Sequence, residues 1–74
     1  MLCSDVMDLL QALAQAERDV LEGERRIARQ REIVAELERD GEQSWDATEL
    51  LRRYEAMQAM HIANRDRLRK ELGL

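Results

Sequence analysis

The pattern of apolar and polar positions repeats every seven residues, first in the N-terminal half of the chain and again after a polar break. The first series is Val6, Leu13, Val20, Ile27 and Val34. After the break, a second series with the same spacing is Ala47, Tyr54, His61 and Leu68. A repeat of this length is typical of helices that pack along one stripe. It predicts two long amphipathic helices and an all-α fold.

The polar break around Gly41 sets the predicted boundaries of these helices. Glycine commonly ends a helix because it adopts the left-handed conformation easily. The first helix is therefore predicted over about residues 4–40, with Ser4 as its N-cap, and the second over about residues 45–72. So short a connection is typical of antiparallel neighbours, so that residues 1–74 are predicted to form a single helical-hairpin domain.

The start of the second helix has two candidate N-caps. Asp46 and Glu49 have the spacing of a capping box, and Ser44 is the alternative. Trp45 also has two interpretations. In the favoured one it closes the turn by packing on Leu50, as in a hydrophobic staple, and in the other it stays exposed as a binding anchor.

Folding the chain back about this break predicts which residues of the two helices face each other. The predicted pairs are Val34 with Tyr54, Ile27 with His61, Gly23 with Asn64 and Val20 with Leu68. About ten N-terminal residues then have no partner within the chain, among them Leu2, Cys3, Val6, Met7, Leu9, Leu10 and Leu13. An exposed apolar patch of this kind is unusual for a monomer.

The apolar surface also exceeds what one partner helix covers. A second apolar stripe follows the first helix at Met7, Ala14, Leu21, Ala28 and Ala35. The resulting arc of roughly 160° is wider than a single helix–helix contact. The second helix is apolar on nearly all faces between Ala56 and Ala63, which is typical of a buried helix.

These features predict self-association, most simply of two hairpins into a homodimeric four-helix bundle or coiled-coil assembly, with another helical protein as the alternative partner. The residues predicted to take part are Leu2, Val6, Leu9, Leu10, Leu13, Val20, Leu21, Met57 and Met60. Ala16 and Gly23 are small residues on the packing stripe. We therefore expect a bulky side chain of the second helix to pack against them.

Composition narrows the function classes. Twelve basic and sixteen acidic residues are interleaved, so no broad positive field would attract nucleic acid or an anionic membrane. No apolar run approaches the length of a membrane span, and the N-terminal sequence lacks the basic region of a signal peptide. One cysteine cannot form an internal disulfide, which agrees with a reducing cytoplasm. We find no motif for a cofactor, a structural metal or a catalytic centre.

His61 is the only histidine and lies on the packing stripe. With Asn64 and Glu24 of adjoining chains it is a candidate site for a small molecule or a metal ion, and the alternative is a hydrogen-bonded core histidine. A di-iron carboxylate bundle would need Glu-x-x-His on an inward face, and the residue three before His61 is Gln58. The sequence therefore argues against a ferritin-like centre.

Arginine is densest at positions 25, 26, 29 and 31. Such a cluster could hold a phosphate group or an acidic helix. Glutamates lie within one turn of these arginines, at Glu22, Glu24 and Glu32, and this mixture favours a solvated face.

The segment from Ile27 to Gly41, followed by Glu49-Leu-Leu and by His61 to Leu68, resembles short uncharacterised bacterial helical-hairpin proteins. These share a helix, an Asp-Gly turn and a second helix with a late histidine. The resemblance implies a hairpin fold and carries no activity. The sequence predicts a non-enzymatic helical module for protein–protein interaction or regulation, with a small-molecule or metal-binding bundle centred on His61 as the alternative.

Overall fold

Two antiparallel α-helices make up the fold. The computed structural model describes residues 3–74, with side chains from residue 5 onward. Helix α1 spans Cys3–Arg39 and helix α2 spans Trp45–Glu71, which confirms the predicted hairpin to within one residue at each helix end. Cys3 is already helical, so the prediction of Ser4 as the N-cap is wrong. In the described part of the chain, neither helix contains a stretch long and apolar enough to cross a membrane.

Gly41 ends α1 in the conformation that the sequence predicts. Its φ of +71° is left-handed, and its N–H donates to the carbonyl of Glu38 at 3.1 Å, while the N–H of Glu42 donates to the carbonyl of Leu37 at 2.9 Å. This pair of bonds is the Schellman motif, which satisfies carbonyls that the helix leaves open. The same pair of bonds closes α2 around Gly73, with a φ of +76°.

Helix α2 begins one residue before the predicted capping box. Ser44 is the N-cap, although its side chain makes no capping hydrogen bond, and its carbonyl accepts from Thr48 N–H at 2.9 Å. Trp45 is thus the first helical residue, not the residue before the cap, and the staple spacing to Leu50 is lost. Trp45 is 67% exposed. The prediction that it clamps the turn is wrong, and the alternative of an exposed aromatic side chain is confirmed.

The two helices meet along one seam. In α1 the seam follows the predicted heptad from Leu13 to Val34, and Leu9 and every seventh residue after it are shielded as well. In α2 the shielded residues from position 51 onward alternate at spacings of three and four, which is the coiled-coil pattern. They are Leu51, Tyr54, Gln58, His61, Arg65, Leu68 and Leu72. Polar side chains therefore occupy three consecutive seam positions in the middle of α2.

The register of the two helices differs from the prediction by about one heptad. Leu68 packs with Leu13 and Ala16, whereas we predicted Val20 as its partner. Gly23 faces Gln58 in place of the predicted Asn64. A slip of seven residues presents the same faces to each other, so the apolar period by itself does not choose between the two registers.

This slip moves the core toward the start of α1. Leu9 and Leu72 pack against the buried cluster of Leu13, Ala16 and Leu68. The prediction that Leu9 and Leu13 lack a partner within the chain is therefore wrong. Val6, Met7 and Leu10 are exposed as predicted, and Leu2 and the side chain of Cys3 lie outside the described residues.

We expect Leu68→Ala to lower the free energy of unfolding by about 2–5 kcal/mol, because truncating a buried leucine removes apolar contacts and leaves a cavity. Leu68 is 4% exposed. Leu74→Ala makes the same chemical change at an exposed site and should shift the free energy by less than about 0.5 kcal/mol. Urea unfolding followed by circular dichroism at one protein concentration measures both, and equal effects would contradict this core.

Candidate interaction surface

The middle of α2 places its polar residues inward and its apolar residues outward. Between residues 56 and 63 only Gln58 and His61 are shielded. The other six side chains are exposed, and we call them the outer face of α2: Ala56, Met57, Ala59, Met60, Ile62 and Ala63. Met60 is 72% exposed. Apolar residues normally occupy the buried face of an amphipathic helix, so this segment has the pattern of a helix with a second partner.

Gln58 is the most buried of the three polar seam residues in the middle of α2, and it is 7% exposed. Its Nε2 donates to the carbonyl of Val20 at 2.8 Å. The amide fits there because Gly23 has no side chain, and a Cβ on Gly23 would collide with Oε1 of Gln58. The expectation that a bulky side chain packs at Gly23 is confirmed, and the side chain is Gln58. Its Oε1 is buried and accepts no hydrogen bond.

Gln30 provides a second polar contact across the seam. This side chain is buried, and its Nε2 donates to the carbonyl of Ala47 at 2.9 Å. Near the turn, Arg31 and Glu55 form an ion pair between the helices at 3.2 Å. Hydrogen bonds and charges therefore fix much of the contact between α1 and α2. Gln30 lies seven residues after Gly23, on the same packing stripe of α1, but the seven-residue repeat does not indicate its partner.

His61 is half-buried and lines a small cavity with five other residues: Gly23, Arg26, Tyr54, Met57 and Gln58. The guanidinium of Arg26 lies over the Tyr54 ring, 5.6 Å from its centre. The cavity volume of about 10 Å³ holds roughly one water molecule. Sites for small organic ligands are far larger, at about 300–1,000 Å³. In a single hairpin, this cavity has no room for such a ligand.

A single chain does not bring the three candidate ligand residues together. Glu24 lines a different depression, an open groove that shares no residue with the His61 cavity. Asn64 is exposed, and its Oδ1 accepts from Nη2 of Arg67 at 2.8 Å. Within residues 5–74, no three histidine, cysteine, aspartate or glutamate side chains are grouped as a metal site would need. A site built from adjoining chains stays a prediction.

The arginines at positions 25–31 do not form one anion site in the hairpin. Arg29 pairs with Glu32 at 3.3 Å, and Arg31 pairs with Glu55. Arg26 stacks on Tyr54, and Arg25 is exposed. Since three of the four side chains contact their own chain in separate places, the arrangement favours the solvated-face interpretation.

Helix α1 also carries exposed apolar side chains outside the seam. We call Val6, Met7, Leu10 and Leu21 the outer stripe of α1. Val6, Leu10 and Leu21 belong to the set predicted for self-association, as do the exposed Met57 and Met60, whereas Met7 was not in that set. Leu13 and Val20 were predicted in the same set but are buried against α2, and Leu9 is partly buried. The slip in register explains Leu9 and Leu13, because it extends α2 over the first turns of α1, whereas Val20 already faced α2 in the predicted register.

No protein-family model matches the chain, and neither a curated protein nor a solved structure shows significant similarity to it.

A double-mutant cycle between Gly23 and Gln58 tests the polar contact of the seam. Replacing a helical glycine by alanine usually stabilises by about 1 kcal/mol, but here the new Cβ displaces Gln58 from the Val20 carbonyl, which costs a hydrogen bond of about 1 kcal/mol. We expect Gly23→Ala to give no net gain in the wild type and a gain of about 1 kcal/mol in a Gln58→Ala background.

Ala12→Gly, an exposed propensity change on the same helix, should cost about 1 kcal/mol in both backgrounds and calibrates the cycle. Thermal or urea unfolding gives all the values. If Gly23→Ala has the same effect with and without Gln58, the two residues are not coupled.

Proposed function

We propose that the protein is a non-enzymatic, self-associating helical module whose function is protein–protein interaction, and that its primary partner is a second copy of the same chain. The observation that carries the proposal is the outer face of α2, where six apolar side chains are exposed beside an inward-facing Gln58 and His61. A second hairpin packed on this face would give a four-helix bundle, in which such a helix has apolar contacts on both sides.

The exposed area supports a partner of this size. The hairpin exposes 5665 Å², whereas a compact monomer of 8.7 kDa exposes about 4,700 Å². The difference of roughly 900 Å² is close to the ~800 Å² that each partner contributes to a standard protein–protein interface. One two-fold interface is therefore enough to bring the exposed area into the normal range.

The weak core supports the same proposal. Among the described residues, five apolar side chains are buried, namely Leu13, Ala16, Val20, Ile27 and Leu68. The radius of gyration is 16.9 Å, against about 11 Å for a compact domain of this length. A rod of 59 × 16 × 14 Å has too little interior for a large core. Chains of this size commonly gain the missing stability from a disulfide, a metal or oligomerisation, and the single cysteine allows no internal disulfide.

The cytoplasm is the location we propose for this module. An oxidising compartment favours small domains with disulfide pairs, and this chain has one cysteine. Interleaved acidic and basic residues give a net charge of −4, which disfavours nucleic acid as a partner because phosphate binding needs a positive surface.

Sedimentation equilibrium at micromolar concentration tests the proposal, and we expect twice the 8.7 kDa mass of one chain. Leu21→Glu and Met60→Glu should each weaken the dimer at least tenfold, since an apolar side chain lost from an interface costs about 1.5–3 kcal/mol and tenfold is about 1.4 kcal/mol. Both side chains are exposed in the hairpin, so its helices should still form.

Gln11→Glu adds the same charge on the polar face of α1 and serves as the matched control. It should leave the mass and the helicity unchanged. A folded wild-type monomer at these concentrations would overturn the proposal, and so would a dimer that tolerates both glutamates.

A further inference from the structure

The exposed apolar side chains form three patches along the rod. The open-end patch is Val6, Met7 and Leu10, near the start of α1. The middle patch is the outer face of α2, and the tip patch is Trp45 and Leu50, at the turn. Leu21 lies at mid-rod on α1, beside a groove that shares no residue with the cavity lined by Met57. Any two-fold axis through the middle of the rod pairs the middle patch with its copy. The two end patches differ, so their pairing depends on the relative direction of the hairpins.

The tip of the hairpin is strongly acidic. Residues 36–51 contain six carboxylates and one basic residue, Arg39. The carboxylates are Glu36, Glu38, Asp40, Glu42, Asp46 and Glu49. Over the part of the chain with described side chains, none of the six forms an ion pair, because the four ion pairs of the hairpin involve other residues. Arg52 and Arg53 follow in the next turn of α2, so residues 36–53 contain six acidic and three basic residues and the tip has a net negative charge.

The opposite end of α2 is basic. Arg67, Arg69 and Lys70 lie in its last two turns, and Arg67 pairs with Glu71 at 2.9 Å. Arg69 and Lys70 are exposed and form no ion pair among the described side chains. Positive charge at a helix C-terminus complements the helix dipole. With Asp5 and Asp8 of α1 and with Asp66 and Glu71 of α2, the open end has as many acidic as basic side chains, so it is close to neutral where the tip is acidic.

From this distribution we propose that the two hairpins of the dimer run in opposite directions, with the tip of each copy packed against the open end of the other. This inference rests on the proposed self-association and assigns its geometry. Trp45 and Leu50 then meet the open-end patch of the partner, which covers apolar surface at both ends of the rod. The acidic tip lies beside the basic end of the partner's α2, where a cation can also pack on the exposed Trp45 ring.

The opposite choice, with both tips at the same end, brings two acidic clusters within one Debye length of each other. That length is about 8 Å at physiological salt, and like charges at this range repel. Apolar burial does not decide between the two directions, because the patches are covered either way. Charge therefore selects the direction, as it does for partner choice in coiled coils.

A spin label at the turn measures the direction in the full-length dimer. The variant Cys3→Ser with Gln43→Cys carries a single label at the tip, and double electron–electron resonance gives the label-to-label distance. We expect a distance near the 59 Å length of the rod. Cys3→Ser with Glu22→Cys places the label on the polar face at mid-rod and should give a much shorter distance, which controls for labelling and dimer content.

A short distance between tip labels, with a dimeric mass in sedimentation, would overturn the antiparallel direction and leave self-association standing. A monomeric mass would overturn both. Glu42→Lys combined with Asp46→Lys should produce a new short-distance population at low salt, whereas Glu32→Lys combined with Asp19→Lys changes the net charge equally away from the tip and should not. An unchanged distance distribution in the tip variant would overturn the role of charge.

Discussion

The contact between Gln58 and Gly23 is the constraint on which the arrangement of the two helices depends. The absence of a Cβ at position 23 gives the Gln58 side chain its space in the seam, because a Cβ there would collide with Oε1 of Gln58. Once inside, it donates to the Val20 carbonyl. An apolar seam tolerates slips of one heptad, whereas a buried amide has its hydrogen-bond partner in one register. This contact therefore fixes the register more than it adds stability, since the Oε1 atom of Gln58 is buried without a partner.

Polar side chains occupy the seam in the middle of α2. The apolar residues next to them in sequence therefore lie on the exposed side of the helix. The eight residues from 56 to 63 have two polar members, and both face α1. The outer face of α2 is the side opposite Gln58 and His61, so it follows from which side of α2 meets α1. A hairpin whose seam is partly polar and whose outer surface is partly apolar is suited to be one half of a larger bundle. In the proposed dimer, apolar burial drives association and charge sets its direction. The two features lie in different places, with the apolar patch at mid-rod and the acidic cluster at the tip.

The sequence alone correctly predicts those features that depend on local chemistry. Gly41 predicts the end of α1 because a left-handed residue is needed there, and the heptad of α1 predicts which of its faces meets α2. The small residue at position 23 predicts a bulky partner but does not identify it: the predicted partner was Asn64, and the structure has Gln58 there. The predictions for Trp45 and Ser44 change when the start of α2 moves by one residue. In the structure α2 begins at Trp45, with Ser44 as the N-cap.

Local pattern thus determined the all-α hairpin, its turn and the excess of apolar surface, because helix period and capping chemistry act over a few residues. Only the tertiary structure decided the register, the entry of Gln58 into the seam opposite Gly23, and the burial of Leu13 in the hairpin's own core. These outcomes depend on how one side chain fits against a residue more than thirty positions away. A seven-residue pattern is the same after a slip of one heptad. Shape and hydrogen bonding across the seam therefore select the register of the two helices.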